Sequence, residues 1–448
     1  MSHSGLPDQI ELVPPAQPVA AKIAVPGSKS ITNRALILAA LGRGSLQLRG
    51  ALWSEDTQVM VDSLQRLGFD LEVAVDPDEA ANRLIRVTGQ GGVIPKAGSE
   101  ANPLELFVGN AGTAARFLAA LACLGNGVYR LSGVSRMHER PQGALFDALR
   151  QLGYRIETPN NKLPAVIYGD GPHRRSCSVS IAESSQFASA LLLSARLGQW
   201  EVQVTGQNAD ESPYVEMTRQ LLTACPQQGG AFAIEPDASS GSYFVAADFL
   251  LRSMPPLPAG LVADADGGKK GGFQSSPVVT VRDWPTSAWQ IDAAFPKYLP
   301  LPAELSRDRH LGDSIMTAIV LAPLADHPVR FTDLGRLRIQ ECERVLALRT
   351  ELSKCGGQLS EDGNTLTVYP SPLHGAEIDT YEDHRMAMCF AILGLKVPGI
   401  KINNPGCVKK TFPNFFQKLA GAAPRGLDIR IMDPQSHRLL QGDDLFAA

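Results

Sequence analysis

Along this chain, short polar turns alternate with runs that are apolar on every face. The clearest case is Pro26–Gly50, PGSKSITNRALILAALGRGSLQLRG. A turn of small and polar residues leads into an Ala- and Leu-rich run, Thr32–Leu41, and then into the alternating Leu46-Gln47-Leu48. That pattern predicts a helix followed by a strand. A helix apolar all round belongs inside a core. The unit recurs from Gly109 (GNAGTAARFLAALACLGNGVYRLSG), Glu183 (ESSQFASALLLSARLGQWEVQVTG), Asp237 (DASSGSYFVAADFLL), Gly312 (GDSIMTAIVLAPLADHPVRFTDL) and Glu382 (EDHRMAMCFAILGLKVPGIKINNP), at a period of roughly 70 residues. Amphipathic helices are predicted between them, in DTQVMVDSLQRLGF, RPQGALFDALRQLGY, SPYVEMTRQLLTACP and ECERVLALRTELSKCGG, each followed by one or two strands. The expectation is an α/β protein of six βαβαββ units, three per domain, with helices in the core and sheets outside.

Other stretches are less regular. IELV and AKIAV, within residues 8–25, predict an entering strand pair broken by PPAQP. Residues 251–311, rich in Gly, Lys and Pro, predict an exposed loop or insertion. The tail after Phe416 predicts a last strand and a frayed end.

Composition narrows the function classes. A chain of 448 residues is long enough for two or three domains. With 44% hydrophobic and 20% charged residues it reads as an ordinary globular protein. The net charge of −4 argues against a nucleic-acid-binding field, so anion binding must come from locally placed cations. Seven cysteines without a C-x-x-C pair argue against a disulfide framework or structural zinc; Cys123 and Cys389 fall in apolar helices and read as buried thiols. No signal-like start and no uncharged apolar run near 18 residues are found, so a cytoplasmic protein without a membrane span is expected.

The candidate chemistry sits at the unit starts. A small-residue turn before a helix presents backbone N–H groups at the positive end of the helix dipole, a ready anion site. Lys29, Ser30 and Arg34 occupy the first such turn. Asn110, Gly112, Thr113 and Arg116 occupy the second, and Arg136 and Arg140 follow its strand. Ser184, Ser185 and Gln186 offer neutral donors at the third. Asp313 and Asp383 read as N-caps of the fifth and sixth helices. Glu341 and Arg344 open an amphipathic helix, Arg385 follows Asp383-His384, and Lys410 follows the last unit. His138 and His384 lie among cations, so no metal site is expected. Should the helix starts converge on one cleft, cations, helix ends and two acid/base candidates meet there. That combination suits the joining of two small, multiply charged anions.

These residues carry a resemblance. PGSKSITNRALILAAL, LFVGNAGTAARFLAA, RMHERPQG, SSQFASALLLSA, DHRMAMCF and KKTFPNFF resemble the signatures of the 5-enolpyruvylshikimate-3-phosphate synthase (3-phosphoshikimate 1-carboxyvinyltransferase) family, over about residues 10 to 420. The resemblance implies an inside-out α/β barrel of two domains. One spans 28–236. The other combines 1–27 with 237–448, and the active site lies in the cleft between them. It implies transfer of the enolpyruvyl group of phosphoenolpyruvate to the 5-hydroxyl of shikimate 3-phosphate, by addition and elimination, with no metal or organic cofactor. The two anions together carry about −5 to −6 near pH 7. Carried over motif by motif, Lys29, Gly112, Arg136, Gln186, Arg344, Arg385 and Lys410 are expected around phosphoenolpyruvate. Lys29, Ser30, Arg34, Ser184, Ser185, Gln186, Tyr214, Asp313, Arg336 and Gln340 are expected around shikimate 3-phosphate. Asp313 is the expected base for the attacking hydroxyl. Glu341 and Lys410, with Lys29 beside them, are the expected proton-handling groups. A monomer is the family expectation.

The chain departs from the family pattern at three acceptor-side positions. Glu211 stands where a serine is usual, Arg336 where an asparagine is usual and Gln340 where a lysine is usual. Phe117 also replaces a usual proline beside the Gly112 loop, which leaves sensitivity to phosphoenolpyruvate mimics such as glyphosate open. Two readings of the acceptor side remain. Arg336 compensates for the missing lysine and the substrate is unchanged, or the acceptor is a different cyclitol or sugar. The sister enzymes acting on UDP-N-acetylglucosamine carry a catalytic-loop cysteine that has no counterpart in RMHERP. A non-catalytic repeat scaffold would not need these charges at the unit ends. No G-x-G-x-x-G after a strand supports a dinucleotide site.

Overall fold

The computed structural model describes residues 5–17, 19–206, 212–252 and 279–447. The six apolar runs form the helices Lys29–Leu41, Gly112–Cys123, Gln186–Gly198, Ala238–Arg252, Ile315–Leu321 and His384–Leu393. Every residue of Gly112–Cys123 and of Ile315–Leu321 is buried, as an apolar circumference demands. The amphipathic helices Glu55–Arg66, Gly143–Gln151, Pro213–Ala224 and Arg344–Lys354 bury one face each. Strands such as Ala21–Ile23, Arg155–Glu157 and Val329–Thr332 alternate between buried and exposed positions, so their sheets cover the helices on one side and meet water on the other.

In four units the strand before the buried helix and the strand after it are parallel neighbours. These pairs are Leu104–Phe107 with Asn126–Ser132, Arg175–Ser180 with Trp200–Thr205, Glu304–Ser306 with Val329–Thr332, and Glu377–Ile378 with Ile400–Asn403. The other two units exchange partners. Ala21–Ile23 pairs with Val279–Val281, and Gly230–Ala233 pairs with Arg43–Leu52. The chain therefore crosses twice between two halves. The crossings run antiparallel, bridged at Gly27 and Pro236, with Ser28 N–H donating to Glu235 O and Asp237 N–H to Pro26 O, both at 2.8 Å. Glycine is required at 27, because a Cβ there would lie 1.9 Å from Gly50 O. Two separate apolar clusters follow the same division. One runs from Ile31 to Ile234; the other joins Ile10–Val25 to Tyr243–Ala447.

Three local expectations need correction. Gln9–Val13 and Ala21–Ile23 do not pair with each other: the first sits between Ile400–Asn403 and Arg430–Asp433, the second against Val279–Val281. The proline-rich link between them cannot close a hairpin and carries the chain to a different sheet instead. Of the expected exposed loop or insertion at 251–311, residues 253–278 lie outside the described residues, and the later part is not an exposed loop: Gln290, Asp292, Phe295, Leu305 and Arg307 are buried. The tail is ordered as strands Arg430–Asp433 and Arg438–Leu439, with Leu440 and Leu445 in the core. Among the described residues no helix is long and apolar enough to cross a membrane.

Candidate active site

Both crossings end at the start of a buried helix, so the N-termini of Lys29–Leu41 and Ala238–Arg252 open side by side. A cleft between the halves begins there. From the first half Lys29, Ser30, Arg34, Ser184, Ser185, Gln186 and Tyr214 line it; from the second come Asp313, Arg336, Gln340, Glu341, Arg344 and Arg385. The helix starts do converge.

Two carboxylates stand at the centre. Asp313 does not cap its helix; Ser314 holds that position. Its carboxylate instead accepts from Arg307 Nη2 at 2.9 Å and lies 3.2 Å from Arg385 Nη2 and 3.9 Å from Arg344 Nη1. Burial alone would raise its pKa, but the three guanidiniums outweigh burial and hold it well below the usual carboxylate range. Glu341 lies 2.9 Å from Arg344 Nη2 and 3.3 Å from Lys410 Nζ. Burial again pushes upward, and Arg344, Lys410 and Arg140 hold the carboxyl well below its ordinary value. On Lys410 burial acts downward, but Glu341 and Asp56 keep its pKa raised. Arg344 joins the two centres. It is 1% exposed and is fixed from behind by Asp383, 2.6 Å from its Nε. Asp383 also caps its helix, accepting from Arg385 N–H at 2.9 Å.

Several expected residues sit differently from one another. Arg34 is buried and directs its donors within the first half, to Thr218 Oγ1 at 2.8 Å, Ser189 Oγ at 3.0 Å and Ser30 O at 2.8 Å. Lys29 pairs with Asp56 at 3.0 Å at the cleft edge. Gln186 donates to Thr113 Oγ1 at 3.2 Å. Arg136 lies outside the cleft lining. It pairs with Glu139 at 2.6 Å and reaches across the halves to Gln340 O at 3.3 Å. Gln340 accepts from Arg344 through its side chain. Arg336 donates to Ile181 O at 2.9 Å, so it too bridges the halves. Gly112 lies under two arginines: a Cβ there would be 2.3 Å from Arg116 Nη1 and 2.7 Å from Arg140 Nη2. Glu211 falls outside the described residues.

The irregular stretch before Asp313 supplies what the pattern missed. Asp292, on the short 3-10 helix Ile291–Tyr298, accepts from Gly312 N–H and Ser314 N–H at 2.9 Å each and from Ser239 Oγ at 2.6 Å. It thereby fixes the Asp313 turn to the Ala238–Arg252 helix. Arg307 is 4% exposed and enters the cleft beside Asp313. Burial first, then the charges of Arg385 and Lys29, hold the pKa of His384 well below the ordinary histidine value.

The cleft thus holds more guanidinium and ammonium groups than carboxylates. The Nε atoms of Arg116, Arg140, Arg307 and Arg385 are buried without an acceptor among the described residues. Leaving such donors unmet is costly, so these arginines are held in the cleft at an energetic cost. Among the described residues no group of His, Cys, Asp and Glu side chains is arranged to hold a metal ion.

Comparison with known proteins gives the same direction. The EPSP synthase (3-phosphoshikimate 1-carboxyvinyltransferase) family profile matches residues 13–254 and 300–419. A 3-phosphoshikimate 1-carboxyvinyltransferase from Opitutus terrae is 37% identical, covering 94% of this chain and 99% of that one. One from Trichormus variabilis is 36% identical, covering 90% and 96%. Among solved structures, EPSP synthase from Acinetobacter baumannii superimposes with a TM-score of 0.68 at 20% identity, covering 95% of this chain and all of that one, a likeness of fold. The chain belongs to the EPSP synthase (3-phosphoshikimate 1-carboxyvinyltransferase) family.

Proposed function

We propose that this protein transfers the enolpyruvyl group of phosphoenolpyruvate to the 5-hydroxyl of shikimate 3-phosphate and releases phosphate, the step that leads toward chorismate and aromatic amino acids. Family membership over nearly the whole chain supports the activity. The observation that carries the site assignment is Arg344, which touches Glu341 at 2.9 Å and approaches Asp313 to 3.9 Å, so one cation couples two carboxylates across a cation-rich cleft.

In the proposed reaction Asp313 takes the proton of the 5-hydroxyl as its oxygen bonds to C2 of phosphoenolpyruvate. Lys410, protonated beside Glu341, delivers a proton to the methylene carbon, giving a methyl group and a tetrahedral intermediate. Phosphate then leaves with its bonding electrons as Glu341 removes a proton from that methyl group, restoring the double bond. Arg344, Arg385, Lys29 and the Gly112 turn hold the phosphoenolpyruvate anion, with Gln186 beside it and Arg136 at the rim. Ser30, Arg34, Ser184, Ser185, Tyr214, Arg336 and Gln340 hold the acceptor. Preorganised cations aimed at developing charge are the main contribution such a site can make. The fold we assign is an inside-out α/β barrel in each of two domains, 28–236 and 1–27 with 237–448, closing on the cleft they share.

The test is phosphate release from phosphoenolpyruvate with shikimate 3-phosphate, then with unphosphorylated shikimate. Release that depends on the phosphorylated acceptor is the expected result. Release only with another cyclitol or sugar means that the acceptor side has changed.

A further inference from the structure

We infer that Arg307 is an acceptor-specificity residue: with Arg336 it forms a two-guanidinium seat for the acceptor's phosphate, and it couples occupancy of that seat to the freedom of Asp313. The inference rests on the enolpyruvyl transfer proposed above.

Arg307 directly follows the strand Glu304–Ser306, and its backbone N–H donates to Thr332 O at 3.1 Å. Its guanidinium therefore projects from a sheet edge rather than from a mobile loop tip. Nη2 donates to Asp313 Oδ1 at 2.9 Å and Nη1 to Asp308 Oδ1 at 3.3 Å, while Nε is buried with no acceptor among the described residues. Arg336 enters the same cleft and is anchored to Ile181 O, at the base of the loop that carries Ser184 and Ser185. The two guanidiniums feel each other: after burial, the charge of Arg307 is the next reason that the pKa of Arg336 is lowered. The Tyr214 hydroxyl closes this end, 3.0 Å from where a Cβ on Gly312 would stand.

A buried guanidinium, Arg307, and a half-buried one, Arg336, beside hydroxyl donors repel each other and favour an anion between them. Arg307 already pairs with Asp313 and Asp308, whereas Arg336 has no carboxylate partner among the described residues. A phosphate monoester, with up to two negative charges, can engage Arg336 and still compete for Arg307, which a neutral hydroxyl cannot. Arg307 is also one of the three cations holding Asp313 ionised and weakly basic. A phosphate accepting from Arg307 competes for the guanidinium that Asp313 now occupies. Asp313 then regains basicity when the correct acceptor is present, as its 5-hydroxyl arrives.

The experiment compares the wild type with Arg307→Gln and Arg307→Lys. For Arg307→Gln the KM for shikimate 3-phosphate should rise about 10- to 100-fold, the range of a lost charge-assisted hydrogen bond. The KM for phosphoenolpyruvate and the inhibition constant of shikimate should stay within about twofold. The acid limb of kcat/KM should move to higher pH, because removing a cation raises the pKa of Asp313. Arg307→Lys, which keeps the charge and the fold, should recover most of the affinity. Equal weakening toward phosphoenolpyruvate and shikimate 3-phosphate, or equal weakening toward shikimate and its phosphate, would overturn the inference and leave the transfer activity standing. A wild type that releases no phosphate with shikimate 3-phosphate overturns the activity itself, and this inference with it.

Discussion

Asp313 is held by groups that make it a poor base. Three guanidiniums keep it ionised, which favours having the carboxylate in place but lowers its appetite for a proton. In the proposed mechanism the arriving anions draw those cations away. Asp313→Asn keeps the shape and removes the base, so kcat should fall about 10²- to 10⁴-fold with both KM values little changed. A fall of less than tenfold in steady-state assays contradicts the role. The same carboxylate shapes acid stability. Its folded pKa is depressed below the ordinary 3.8, so its stabilisation is present above pH 3.8 and is lost as pH falls from there toward the folded value. Urea midpoints of the wild type should drop more steeply below pH 4 than those of Asp313→Asn. Gly112 makes a second residue-scale case. A methyl group there would press on the Arg116 and Arg140 guanidiniums, 2.3 and 2.7 Å away. Gly112→Ala should raise the KM for phosphoenolpyruvate about tenfold and leave that for shikimate 3-phosphate unchanged; an unchanged phosphoenolpyruvate KM contradicts the placement.

At the scale of elements, the buried helices carry both the core and the site. An apolar circumference puts each helix inside, and its polar first turn is then the only part left to face a cleft. This is why the six starts could be found in the sequence, and with them most of the lining, from Lys29 and Ser184 to Arg385. Arg307 and Asp292 could not be found that way. They sit in a turn and a 3-10 helix without apolar periodicity, and no pattern in the chain marks Asp308 and Asp313 as the partners of Arg307 or Gly312 and Ser314 as those of Asp292. Arg136 shows the opposite limit: a motif singled it out along the chain, but its side chain lies outside the cleft lining and pairs with Glu139. The alanines of Gly112–Cys123 permit close packing against Gln186–Gly198. Ala119 is fully buried on this helix, so Ala119→Leu should overpack its surroundings and cost about 1–3 kcal/mol. Chemical denaturation measures the loss; a change within about 0.3 kcal/mol contradicts the packing account.

At the scale of the molecule, two crossings at Gly27 and Pro236 join halves with separate apolar clusters. The repeat count made two halves legible. The exchange of Ala21–Ile23 and Gly230–Ala233 was not, because a three- or four-residue strand does not name its distant partner in its own sequence. A further contact spans the halves away from the cleft, where Glu79 accepts from Lys418 Nζ and Asn414 Nδ2 at 2.6 Å each. The cleft's chemistry needs both halves: Lys29 and the serines come from one, Asp313, Glu341 and Arg344 from the other. The central claim is that this shared cleft adds and then eliminates across the double bond of phosphoenolpyruvate. The measurement that tests it most directly is the mass of the product formed from phosphoenolpyruvate and shikimate 3-phosphate in heavy water. The account predicts an enolpyruvyl ether of the acceptor with deuterium in its methylene group, since the methyl intermediate takes one proton from solvent-exchanged Lys410 and loses another. Phosphate release with free pyruvate, or an ether with no deuterium, would contradict it.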